Sequence, residues 1–184
     1  MNPFPLHRCL LCLGIAAVLT SAAPAQDSPA STPASANPST LSPLAFLAAH
    51  DWEAKLPDTA DGKKMVLRTH CAWSENRQII RTSSQFVTDG KAKPYVDGLY
   101  AWDPRARIII FIYANASGGL SRGTVKQEGN TLVHEFEEVG KDGSASNFVA
   151  KITPQGEKAW ENEIFARQGE ELTSLVKVRN EQVD

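Results

Sequence analysis

Three stretches of the 184-residue chain hold side chains of the kind that catalysis or metal binding uses. Gly119-Leu120-Ser121-Arg122-Gly123 matches G-x-S-x-G, in which a tight strand-to-helix turn lifts a nucleophilic serine into the open. The residues that follow, Thr124-Val125-Lys126-Gln127, continue as a strand to a turn at Glu128-Gly129. Ser121 therefore lacks the helix start that the chemistry needs. His134-Glu135-Phe136-Glu137-Glu138 invites a zinc reading, but the helical motif needs a second histidine where Glu138 stands. On a strand, His134 faces away from Glu135 and Glu137, so the three cannot converge on one ion. Cys71 reads either as a reactive thiol or as a small buried hydrophobe, and its apolar strand neighbours favour the second. The sequence thus predicts no catalytic set, no metal site and no cofactor.

The same residues read differently as parts of a pocket wall. His134 sits between Leu132 and Phe136 on one strand face, where its ring offers both a donor and an acceptor. It is either a hydrogen-bonded core histidine or the anchor of a ligand head group. Arg122, Thr69, Ser83 and Asn162 are polar residues placed to join it. Trp73, Tyr100, Phe136, Phe148 and Trp160 would supply the apolar lining. That aromatic content suits a packed core equally well.

The elements that must position these residues are strands. From residue 51 onward, runs of eight to eleven residues rich in Val, Ile, Thr and aromatics alternate with turn chemistry such as Asp89-Gly90, Glu128-Gly129-Asn130 and Asp142-Gly143. Nine turns delimit ten strands, near 51–57, 63–73, 77–88, 94–102, 106–114, 120–127, 131–138, 144–153, 157–167 and 171–179. The one helical segment is Pro43 to His50, with Ser42 as its cap. Short loops between sequential strands predict an all-β fold, a single up-and-down antiparallel barrel of about ten strands with a short N-terminal helix. Ile108 to Ile112 is apolar on both faces, so its outer face should lie against the leading helix or against a second copy of the chain.

The two ends of the chain differ in material. Residues 1–25 have a weakly basic start at His7 and Arg8, a 12-residue apolar run from Cys9 to Thr20, and Ala23-Pro24-Ala25. That is the pattern of a secretory signal peptide, too short in its apolar run to span a bilayer. Residues 26–43 are rich in Pro, Ser and Ala with Asp27 as the single charge, which predicts a disordered linker. Residues 44–184 form the barrel domain, whose one cysteine, Cys71, can make no internal disulfide. The net charge of −2 lacks the basic footprint of a nucleic-acid binder, and no later stretch is long enough to span a membrane after signal removal.

Leu44-Ala45-Phe46-Leu47-Ala48-Ala49-His50-Asp51-Trp52-Glu53, Gly98-Leu99-Tyr100-Ala101-Trp102-Asp103-Pro104, the glycines 118, 119 and 123, and the closing Leu175-Val176-Lys177-Val178-Arg179 together resemble the bacterial lipocalin-like family of secreted proteins of unassigned function. That family belongs with the calycin-like barrels, alongside nitrobindin and the fatty-acid-binding proteins. The resemblance implies that Trp52 plugs the closed end of the barrel under Arg179. It departs at His50, where the family carries glycine, and it brings no haem-ligand pattern. The expectation is an exported barrel, secreted or periplasmic, that binds a small hydrophobic ligand in its lumen. The alternative is an interaction module with a filled interior.

Overall fold

A computed structural model describes residues 40–183. The signal segment and nearly all of the linker expected from the sequence lie outside the described residues. The ten expected strands are all present: β1 (Asp51–Leu56), β2 (Met65–Trp73), β3 (Ile79–Thr88), β4 (Lys91–Asp103), β5 (Ile108–Asn115), β6 (Leu120–Glu128), β7 (Thr131–Val139), β8 (Ala145–Pro154), β9 (Ala159–Gln168) and β10 (Glu171–Val183). Each pairs antiparallel with its sequence neighbours, and β1 pairs β10 through Asp51↔Val183 to Ala54↔Asn180. The sheet is therefore a closed up-and-down barrel with no free edge.

Local chemistry sets the hairpins. Between β3 and β4 the two-residue loop Asp89-Gly90 has φ of 50° and 74°. Both central residues are left-handed, the geometry that lets a two-residue loop follow the right-handed strand twist. Inside the sheet, Gly123 faces Phe111 on one side and Phe136 on the other. A Cβ there would come within 2.6 Å of the Phe136 Cβ, so the missing side chain is what lets the rings on both sides close over the strand.

The turns β2–β3, β4–β5, β6–β7 and β8–β9 gather at one end, where the chain also enters. The expected single helix is instead two 3-10 turns, Ser42–Leu44 and Leu47–Ala49. Leu41 takes the cap position, and Ser42 is the first residue of the turn. Leu41, Leu44 and Leu47 are buried in one cluster with Ile80, Ile109, Val125 and Ile152, so this segment plugs the barrel. Trp52 is 1% exposed. Its indole Nε1 donates to the Leu47 carbonyl at 2.9 Å, and its ring stands edge-on to Trp160 at 6.1 Å. Trp52 thus stands at the closed end of the barrel, but Arg179 does not lie over it. Arg179 points outward and pairs with Glu181 at 3.2 Å. The residue that β10 sends inward is its neighbour Asn180, 1% exposed and opposite Ala54.

The outer wall carries two apolar features. Because the leading segment is spent on the plug, it does not cover β5, and Ile110 and Ile112 stay 38% and 42% exposed. On the other side, Val149 and Val133 are buried although they lie on the outer face. Around them Arg167 binds Glu135 at 2.7 Å, Lys126 approaches Glu135 at 3.6 Å, and the Lys151 ammonium stands 5.3 Å from the Phe165 ring centre. Long charged side chains thus shelter apolar wall with their stems.

Trp52 supplies both apolar area and a hydrogen bond to the plug. Trp52→Ala should cost about 3–5 kcal/mol. Trp52→Phe, which keeps a ring but leaves the Leu47 carbonyl unpaired, should cost about 1–3 kcal/mol. Urea denaturation midpoints of the parent and the two variants measure this; a Trp52→Phe midpoint equal to the parent's would remove the hydrogen bond from the account.

Candidate ligand cavity

A cavity of about 380 Å³ runs up the barrel axis from Leu47 at the plug to Leu175 and Val176 at the opposite end. Leu175 is 56% exposed, and with Tyr95 and Val176 it forms the apolar lip of an open mouth. Of the residues expected from the sequence to line the lumen, Thr69, Tyr100, His134, Phe136, Phe148, Trp160 and Asn162 do so. Three others, Arg122, Ser83 and Trp73, do not.

Arg122 lies outside, pairing with Glu137 at 3.1 Å. Directly opposed residues in a sheet share a face, and Arg122 opposes Ile112 and Glu137, both outward. Ser83 is likewise outward because it opposes His70, and its neighbours Thr82 and Ser84 line the cavity instead. Trp73 keeps the inward face but sits past the cavity, at the closed end. It packs on the core there, with the Arg77 guanidinium 5.3 Å from its ring centre.

One side of the cavity wall is an aromatic cluster. Tyr100, Phe111, Tyr113 and His134 stand with ring centres 4.8–5.9 Å apart, mostly edge-to-face or tilted. His134 is 3% exposed, and its Nε2 lies 3.2 Å from the Tyr100 hydroxyl. Burial lowers its pKa from 6.5 to about 4, so the ring is neutral at ordinary pH. Burial also pushes the Tyr100 phenol far above its usual range and raises the Cys71 thiol. The Cys71 Sγ lies 3.4 Å from the Thr82 hydroxyl, as a weak donor inside the wall. Thr69 and Ser84 pair their hydroxyls at 3.0 Å.

Four buried polar atoms have no partner among the described residues: His134 Nδ1, Trp160 Nε1, Asn162 Oδ1 and Asn180 Nδ2. All four belong to residues that line the cavity. Polar atoms left unpaired in a protein interior are costly and uncommon, and their gathering around one space is a property of that space.

A second depression, about 550 Å³, lies on the outer wall. It holds a transverse row in which Asp51 opposes His70, His70 opposes Ser83 and Ser83 opposes Asp97. His70 Nδ1 meets Asp51 Oδ1 at 2.5 Å. The order of types is that of a nucleophile relay, but no hydrogen bond joins His70 to Ser83, and the Asp51 and His70 side chains are more than half exposed. The alternation was readable in the sequence, but the register across four strands was not. The described residues contain no group of three or more metal-ligating side chains able to hold an ion.

Fold and cavity together define a closed ten-stranded up-and-down barrel with an apolar lumen open at one end. No family model matches the chain, and no curated protein matches it. Among solved structures it is similar to one titled "Crystal Structure of Rv2717c from M. tuberculosis", at 13% identity and a TM-score of 0.52. The match covers 79% of this chain and 98% of that one. At this identity the likeness supports the barrel fold.

The low His134 pKa has a thermodynamic signature. Below pH 6.5 the unfolded chain takes up a proton on this ring and the folded chain does not, until about pH 4. Stability should therefore be complete above pH 6.5 and fall as pH drops toward 4, by ~3 kcal/mol from this residue. Imidazole NMR should show His134 neutral down to about pH 4. A His134→Gln variant should lose less stability than the parent between pH 7 and pH 4; parallel losses would contradict the assignment.

Proposed function

We propose that the barrel takes a small, largely apolar molecule into its lumen. The observation that carries this reading is the cavity itself. Its volume, about 380 Å³, falls within the ~300–1,000 Å³ of ordinary ligand sites. Its wall is aromatic and aliphatic, with a few polar groups around His134 and Asn162, and its mouth is apolar. Kinship with the lipocalin-like, calycin-like barrels and export to a secreted or periplasmic location belong to the same reading. The first is supported by the motifs quoted above and the second by the order of residue types in 1–25. Among the described residues no helix is long and apolar enough to cross a membrane.

A neutral fluorescent probe, N-phenyl-1-naphthylamine, should bind saturably and be displaced by medium-chain alkanols. Ala150→Leu, which fills the lumen, and Val176→Trp, which obstructs the half-exposed lip without loading the core, should each weaken binding about tenfold or more. Folded variants that bind like the parent would show the probe to be elsewhere.

A second reading, self-association, is favoured by the exposed Ile110 and Ile112 stripe. Sedimentation should then show a mass increase with concentration that Ile110→Lys with Ile112→Lys abolishes. A constant monomer mass in the parent would sink it.

A further inference from the structure

The charge distribution of the lumen carries the reading of a lumenal ligand one step further, and the step rests on that reading. Among the residues lining the cavity, no lysine or arginine is present and Glu138 is the one charged side chain. Glu138 stands near the mouth end of β7 and accepts from Asn115 Nδ2 at 3.4 Å. Three cations of the neighbouring strands are committed outside. Arg122 pairs with Glu137, Arg167 with Glu135, and Lys177 with Glu161 at 2.8 Å. The remaining titratable groups of the wall are Cys71, Tyr95, Tyr100, Tyr113 and His134. Burial opposes ionisation of Cys71, Tyr95, Tyr100, Tyr113 and His134 alike. The unpaired buried atoms offer the indole N–H of Trp160 and the amide N–H of Asn180 as donors and the Asn162 carbonyl as an acceptor.

We infer that the lumen selects an uncharged amphipathic molecule, one with a hydroxyl, carbonyl or amide head on an apolar body, and rejects carboxylates. An anionic head entering this space would leave water without meeting a cation, and it would pass a carboxylate at the mouth. A charge moved into an apolar interior without a partner is strongly disfavoured. A neutral head loses less on leaving water, and its hydrogen bonds can be met by the donors and the acceptor already in the wall.

The test is calorimetric titration of the full chain with 1-decanol and with decanoate, near neutral pH and below micellar concentrations. Decanol should bind at least about tenfold tighter than decanoate. Decanoate binding as tightly as decanol, or tighter, would overturn the inference while leaving a lumenal site in place. If neither binds and N-phenyl-1-naphthylamine fails too, it is the lumenal reading itself that falls. Glu138→Lys, at the mouth end of β7, should raise decanoate affinity relative to that of decanol. No gain for decanoate in this variant would remove Glu138 from the mechanism.

Discussion

Everything in this molecule follows from the ring of backbone hydrogen bonds that β1 and β10 complete. Once the ladder closes, no strand has an edge, and each side chain has only two destinations, lumen or solvent. The closure itself is short, four residue pairs between Asp51–Ala54 and Asn180–Val183. It holds because Trp52, in the middle of that seam, is fixed to the plug beneath it. One indole therefore joins the last pairing of the sheet to the burial of Leu41, Leu44 and Leu47.

The strands were legible because alternation and turn chemistry agreed. On β7, Leu132, His134 and Phe136 face inward as the pattern requires, and on β9 Trp160, Asn162 and Ile164 do the same. What the sequence hid was register. Arg122 and Ser83 look suited to a pocket in isolation, yet each is fixed outward by the residue opposite it, which no single strand reveals. Asn180 escaped notice because β10 runs four residues past Arg179, where the expected strand ends. On the same strand a register shift between Ser174 and Val176 interrupts the face assignment just where Leu175 forms the lip. The early start of β4, with Pro94 and Tyr95 inside the strand and a shift opposite Ser84 and Gln85, concealed Tyr95 as a mouth residue in the same way. Alternation can be read along one chain segment, whereas bulges depend on the partner strand.

The contrast between wall and lumen is electrostatic as much as hydrophobic. Outside, charges are abundant and matched strand to strand, as in Glu135 between Arg167 and Lys126. These exposed pairs contribute little stability individually, but they keep long cationic side chains extended along the surface and out of the interior. Inside, apart from Glu138 near the mouth, polarity is carried by neutral groups, some of them still unpaired. His134 belongs to this set because its surroundings keep it uncharged, so it acts as an oriented dipole in the wall of the cavity.

The position of the plug gives the molecule a polarity along its axis. The chain reaches residue 40 at the closed end, and the mouth, with Tyr95, Leu175 and Val176, lies at the other. Whatever precedes residue 40 is consequently joined to the barrel at its base. A chain joined before residue 40 and one joined after β10, whose end also lies beside the plug, would both meet the barrel at its base, the end opposite the mouth.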